Sequence, residues 1–186
     1  MPYLPVIVAC LGFLLVLSVV WTTLRVGISP MPSSRRAVSA MINLIPNDIP
    51  GPVLDLGSGL GSLTRAVARH RQELVVTGYE LSPLPLLWAR LISRLGHSTS
   101  TYLRRDFFVE DLTSARIVLC YLYPGAMSRI SETPEMFSPG TVLISNTFRV
   151  PGWTPDEVVE LDDLYRTRVY RYIVGAKVDD HINLKG

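Results

Sequence analysis

A chain of 186 residues suits one domain with an appendage, since a single hydrophobic core is comfortable at roughly 100–150 residues. Its formal net charge of +2 is too small to argue for a nucleic-acid partner, and the basic residues are scattered rather than gathered in one stripe. His70, His97 and His181 lack ligand-like spacing with cysteines or acids, so no metal site is expected, and Cys10 and Cys120 sit in apolar runs that do not read as a disulfide framework.

From residue 3 to 24 the run YLPVIVACLGFLLVLSVVWTTL holds no charged side chain. As a helix at ~1.5 Å per residue it would extend roughly 33 Å, enough for a hydrocarbon core of ~30 Å, and this predicts a transmembrane helix. Pro2 and Pro5 fall at its first turn, where a missing backbone donor costs least, and Tyr3 and Trp21 suit the two interfaces. The alternative, a cleaved signal peptide, is disfavoured by the lack of a basic segment before the run and of a small-x-small cleavage site after it. Arg25, Arg35 and Arg36 follow the span while no Lys or Arg precedes it. The positive-inside bias therefore predicts a single-pass membrane protein, with the lipid bilayer as a partner and the rest of the chain in the cytoplasm.

Residues 25–34 read as a linker, because GISPMPSS is rich in Gly, Pro and Ser. Ser33 or Ser34 can cap a helix over 35–45, where Val38, Met41, Ile42 and Ile45 share one face, and Pro46 ends it. Short apolar runs then alternate with helical stretches, the pattern of a parallel sheet built from βα units. Strands are predicted over 52–57, 74–80, 100–108, 115–123 and 140–148, and helices over 62–70, 83–96 and 124–137. Segments 157–163 and 167–175 read as an antiparallel pair closing the sheet. The domain is expected over 35–178, with a tail over 179–186.

The informative segment is Val53-Leu-Asp-Leu-Gly-Ser-Gly-Leu-Gly61, a hydrophobic strand that runs into three alternating glycines before a helix. Gly57, Gly59 and Gly61 let the backbone turn sharply and approach a ligand, and the helix N-terminus offers unpaired N–H groups. Asp55 lies at the C-terminal edge of the first strand, where open α/β sheets bind ligands. Ser62 stands where the dinucleotide fingerprint wants its third glycine, so a pyrophosphate cradle is the weaker reading. Glu80 ends the second strand, where a carboxylate can accept both hydroxyls of a ribose.

The string VLDLGSGLG resembles the first motif of class I S-adenosylmethionine-dependent methyltransferases. The resemblance implies a Rossmann-like sheet, S-adenosyl-L-methionine as cofactor, and a turn of Asp55, Gly57, Ser58, Gly59 and Gly61 around its amino acid end. It also implies Glu80 at the ribose, Leu81 beside it among the cofactor-binding residues, and Asp106 with Phe107 at the adenine; the plainer alternative for these last two is an acidic loop start beside a core phenylalanine. Cys120-Tyr-Leu-Tyr-Pro124 falls where the family places the group facing the methyl acceptor, and it departs from the Asn/Asp-Pro-Pro-aromatic motif of enzymes acting on bases. Tyr121 and Tyr123 are candidates for an acceptor channel whose ring faces suit a lysine ammonium, with core packing the alternative for either.

A narrower resemblance rests on Pro32-Ser33-x-x-x-x-Val38-x-x-Met41, DLGSG, Glu80, ARLISRLG, Asp106 and Ser145-x-x-Phe148-x-x-x-Gly152-Trp153-x-Pro155. Together these look like the small prokaryotic protein lysine methyltransferases and their membrane-anchored mitochondrial relatives. Those relatives commonly read DLGSGDGR, whereas this chain has Leu60 and Ser62. The expected activity is methylation of a lysine on a protein at or near the membrane. The rivals are methylation of a lipid, quinone or other small lipophilic acceptor, and a cofactor-binding membrane module without turnover.

Overall fold

A computed structural model of the protein describes residues 33–175 and, before them, Tyr3, Pro5 and Val6 alone. Among the described residues no helix is long and apolar enough to cross a membrane. Apart from those three residues, the span expected over 3–24 lies outside the described residues, as do residues 25–32 of the expected linker and the tail expected over 179–186.

The first helix, α1 (Arg35–Asn43), begins at Ser34, whose hydroxyl accepts the Ala37 N–H at 3.1 Å and satisfies one of the orphan donors of the first turn. Strand β1 (Val53–Leu56) is buried along its whole length and leads into α2 (Ser62–His70). Strand β2 (Val76–Tyr79) and helix α3 (Pro83–Leu95) follow, with Pro83 in the first turn, where it needs no partner for its nitrogen. Next come β3 (Thr101–Leu103), β4 (Ile117–Cys120), α4 (Pro124–Glu132) and β5 (Val142–Asn146). Strands β6 (Glu157–Glu160) and β7 (Arg168–Ile173) complete the sheet.

The seven strands run in the order β3-β2-β1-β4-β5-β7-β6. β1 to β5 are mutually parallel, and β7 enters antiparallel between β5 and β6. This is the expected α/β Rossmann-like sheet, with its antiparallel pair at the C-terminal edge. Residues paired across parallel strands share a face, so Tyr102, Gly78, Asp55, Leu119 and Ile144 point the same way. On that face α1 and α2 pack Met41, Leu44, Leu63 and Val67 against Leu119 and Ile144, while α3 sets Leu86 and Ala89 on Tyr102. On the other face α4 packs Ala126, Met127 and Ile130 against Leu56, Val118 and Leu143.

Several predicted elements are shorter than expected, each for a local reason. The third strand stops at Leu103 rather than residue 108, because the Asp106 carboxylate accepts the Phe108 N–H at 3.0 Å and folds the chain into a turn. The fourth stops at Cys120, before both tyrosines, because the Tyr123 carbonyl already accepts the Ala126 and Met127 N–H groups of α4. The helix expected over 124–137 breaks at Thr133, the residue before Pro134, and resumes as one 3-10 turn over Pro134–Met136.

Candidate active site

The strand order reverses between β1 and β4, and open α/β sheets bind ligands in the crevice outside the C-terminal ends of the strands at such a point. Leu56 pairs with Cys120, so the two strands finish level with each other. The glycine turn after β1 and the tyrosine segment after β4 therefore open into one crevice. A Cβ placed on Gly57 would sit 2.8 Å from Leu122 Cδ2, which puts Leu122 directly against the turn.

Three alternating glycines give the turn its path, with φ of 73° at Gly57, 53° at Gly59 and 73° at Gly61, all in the left-handed region that costs other residues about 1–2 kcal/mol. The end of β2 holds it: the Tyr79 carbonyl accepts the N–H groups of Gly57 and Ser58, both at 2.9 Å. Gly61 supports it from below. A Cβ there would come within 2.7 Å of the Tyr102 ring, whose hydroxyl donates to the Gly61 carbonyl at 3.2 Å. Gly59 differs, because a Cβ there meets nothing closer than 3.9 Å and the middle of the turn faces open space.

Glu80 faces that space from the next strand. Its Oε2 accepts the Gly59 N–H at 2.9 Å and its Oε1 accepts the Ser82 N–H at 2.7 Å. A carboxylate has about four lone-pair sites, so both oxygens keep acceptor capacity for two further donors. Exposed Leu60 and Leu81 flank it with apolar surface.

Asp55 is sealed beneath the turn, 3 % exposed, with Oδ2 accepting the Thr64 hydroxyl at 2.6 Å. Burial, only partly offset by the Thr64 hydrogen bond and reinforced by the negative charge of Glu80, pushes its pKa up to about 6. Ser58 is also buried, and its hydroxyl has no hydrogen-bond partner; it packs over Gly78, where a Cβ would come within 2.7 Å of it. A left-handed turn with an open centre, an orphaned hydroxyl beneath it and a carboxylate with spare acceptors at its rim fits a ligand that carries an ammonium and a pair of hydroxyls.

Asp106 follows the end of β3, which adjoins Glu80 through the Glu80 N–H to Leu103 carbonyl bond of 3.1 Å. Phe107 turns inward, 8 % exposed, into the cluster with Leu54 and Leu56, and its ring lies 4.3 Å from that of Phe108. Outside, Arg129 stands 4.0 Å over the Phe108 ring. Tyr121 lies nearly parallel to Phe148, at 14° and 6.4 Å between ring centres. Tyr123 is partly buried against the core on the α4 side, so the two tyrosines have different surroundings. Cys120 is fully buried, which pushes its thiol up to about 12. A surface cleft between α1 and β6, lined by Arg36, Asn43, Glu157 and Glu160 among others, includes none of these residues.

Thr64, Ser82 and Leu122 were not anticipated as parts of the site. Only the backbone N–H of Ser82 is used, which any residue but proline would supply. Thr64 had a faint signal, a hydroxyl in the first turn of the helix that follows the acid.

Residues 55–157 match the model of the ANTKMT methyltransferase domain family. The chain belongs to this family. It is a class I S-adenosylmethionine-dependent methyltransferase. A protein-lysine N-methyltransferase of Saccharolobus islandicus (strain REY15A) is 25% identical over 149 residues, covering 78% of this chain and 92% of that protein. The crystal structure of an RNA methyltransferase from Salinibacter ruber in complex with S-adenosyl-L-homocysteine is 26% identical, with a TM-score of 0.70 over 82% of this chain and 99% of that one. The magnesium protoporphyrin IX methyltransferase of Synechocystis PCC 6803, 18% identical with a TM-score of 0.56 over 73% of this chain and 75% of that one, shares the fold.

Proposed function

We propose that this methyltransferase N-methylates lysine side chains of a protein at or near a membrane, to which residues 3–24 anchor it with the catalytic domain on the cytoplasmic side. The observation that carries the acceptor class is the likeness, along 92% of its length, to a protein-lysine N-methyltransferase. The aromatic wall at the crevice supports it: the parallel rings of Tyr121 and Phe148 offer π faces to a cationic or methylated amine. Anchoring rests on the uncharged run over 3–24 and the arginines that follow it.

In this reading the turn of Asp55, Gly57, Ser58, Gly59 and Gly61 holds the amino acid end of the cofactor, with the open centre at Gly59 receiving its ammonium and Asp55 lying beneath. Glu80 accepts from the ribose hydroxyls while Gly59 and Ser82 keep its carboxylate oriented. Leu81 and the Asp106 carboxylate border the adenine, and Phe107 backs that pocket from the core. S-adenosylmethionine supplies an electrophilic methyl group on sulfur. The chain's own contribution is then to hold the acceptor amine in line, which accounts for most of the rate in a displacement needing no acid or base to activate the donor. The amine must arrive neutral, and desolvation between Tyr121 and Phe148 beside a sulfonium charge lowers its pKa in the required sense.

An RNA acceptor is the second reading, favoured by the likeness to the Salinibacter protein. A net charge of +2 with scattered basic residues offers little grip on a phosphate backbone. Incubating the full chain with methyl-labelled S-adenosylmethionine and native membranes, then separating protein, lipid and RNA, decides between them. Label recovered as methyllysine supports the proposal, and label confined to lipid or RNA overturns it.

A further inference from the structure

Helix α3 is apolar on the side that should face water. Leu84, Leu87, Trp88, Leu91 and Leu95 are 50%, 65%, 51%, 49% and 69% exposed, and their spacing lays them in one stripe along the helix. The opposite side, with Leu86, Ala89 and Ser93, is already buried against the domain. A surface helix normally carries polar residues outward, and one that is apolar on both sides needs a second apolar medium. Contiguous exposed apolar surface of this kind marks an interaction site.

We propose that this stripe docks on the surface of a bilayer containing anionic lipid, so that the anchored domain lies down on the membrane by α3 instead of swinging free. The chemistry of the helix selects this occupant. No acid occurs in Pro83–Leu95, and its only charged residues are Arg90 and Arg94. Arg90, though exposed, is tied to the domain by hydrogen bonds of 2.8 and 3.1 Å to the Tyr102 carbonyl. Arg94 at one end of the stripe has no ion-pair partner among the described residues, and Arg104, also exposed and without one, donates to the Leu81 carbonyl at the other. A leucine stripe with a central tryptophan, bracketed by free arginines, is the composition of a helix lying in the headgroup region of an anionic leaflet. A second copy meeting the same face would add arginines to arginines with no acid on the helix to pair them.

The tether keeps the domain within reach of the bilayer. The proposal rests in this respect on the anchored reading above. Only residues 25–32 separate the uncharged run from Ser33, and eight extended residues reach at most about 28 Å. Ser33 accepts from the Asn146 side-chain amide at 3.4 Å, at the C-terminal end of β5. α3 starts just beyond the C-terminal end of β2, so both lie at the sheet edge that carries the crevice. Docking by α3 sets the methyl-transfer crevice beside the headgroups and selects acceptors that lie close to the membrane surface.

The test uses the full chain, with Cys10→Ser, in vesicles of phosphatidylcholine doped with phosphatidylglycerol, the buried Cys120 being left in place. A nitroxide is attached at Leu91→Cys, or for comparison at Val158→Cys on β6 at the far edge of the sheet. Relaxation by oxygen, which concentrates in lipid, is compared with relaxation by a water-soluble nickel chelate. The proposal expects the label at 91 to be several-fold more sensitive to oxygen than to nickel and the label at 158 to show the reverse. Adding Leu87→Ser, Trp88→Ser and Leu95→Ser should return the label at 91 to water. A nickel-accessible label at 91 on protein that floats with the vesicles overturns the docking while leaving the anchor standing. A label shielded from both reagents means that protein covers the stripe, which also overturns it. Protein that fails to float with the vesicles overturns docking and anchoring together, whereas labelled-methyl transfer is read separately and speaks only to the acceptor.

Discussion

The Gly59 N–H donates to Glu80 Oε2 at 2.9 Å, joining the centre of the glycine turn to the end of the neighbouring strand. The carboxylate shapes the turn, and in the function proposed above its remaining lone pairs accept from the ligand. Glu80→Ala should weaken S-adenosylmethionine binding about 100-fold, the equivalent of two charge-assisted hydrogen bonds at roughly 1.5 kcal/mol each, and leave the circular dichroism unchanged. Glu80→Gln should fall between. Titration calorimetry on the full chain in detergent checks both, and wild-type affinity in Glu80→Ala would remove this residue from the site.

Gly59 and Gly61 separate ligand binding from folding. Both have positive φ, but a Cβ finds open space at Gly59 and the Tyr102 ring at Gly61. Gly59→Ala should cost about 1 kcal/mol of stability, with a much larger proportional loss of cofactor affinity, and Gly59→Arg should abolish binding in a folded domain. Gly61→Ala adds overpacking to the strain and should cost roughly 2–4 kcal/mol. Urea denaturation read beside calorimetry tests the contrast; equal stability losses for the two alanine variants would contradict it.

The raised pKa of Asp55 makes stability depend on pH in a definite sense. Folding lifts it from 3.8 to about 6, so between those values the native state binds more protons than the unfolded chain. Its contribution to stability is therefore greatest below pH ~4, falls as pH rises towards ~6, and is constant above, with a total loss on the order of 3 kcal/mol. Asp55→Asn should remove this slope and be more stable than the parent at neutral pH, at the expense of cofactor affinity. The difference between the two proteins in urea midpoint, measured at intervals from pH 4 to pH 8, isolates this residue from other titrating groups. A difference that does not change with pH would place the carboxyl in a wetter environment than its burial indicates.

Tyr121 is the tyrosine whose ring lies nearly parallel to that of Phe148, whereas Tyr123 packs partly into the core and starts α4. Tyr121→Ala should lower kcat by roughly 10- to 100-fold through acceptor misalignment, with cofactor affinity within a few fold of the parent. Tyr123→Ala should lose both turnover and some stability. Radiolabel transfer and calorimetry on the same preparation read the split. Full turnover in both variants would move the acceptor channel elsewhere along the crevice, towards Trp153.

The anchor is expected to be uncleaved, with the domain inside, because Arg25, Arg35 and Arg36 follow the uncharged run and no cleavage site does. Protease added to intact cells should spare the domain, and the mature protein should retain residues 3–24. Digestion from outside, or a mature N-terminus beyond residue 24, would reverse the topology.

The amino-acid sequence by itself determined the alternation of strands and helices, and the glycine turn with Glu80 at the end of the next strand. These features are local: periodicity, a proline or three alternating glycines constrain the backbone within a few residues, so Ser62–His70 was legible to the residue and DLGSGLG revealed the ligand class. What only the tertiary structure decided concerns partners distant in the chain. It placed Leu122 against Gly57, closed Thr64 over Asp55, turned Phe107 into the core and stacked Tyr121 on Phe148. It also inserted β7 between β5 and β6, an order that hydrophobic patterning alone does not encode. In α3 the sequence predicts a helix without assigning its faces, and only packing revealed that Leu86 and Ala89 serve the core while Leu87, Trp88 and Leu91 look outward. Burial depends on which surfaces the whole chain brings together, and a local pattern names an apolar residue without naming what covers it.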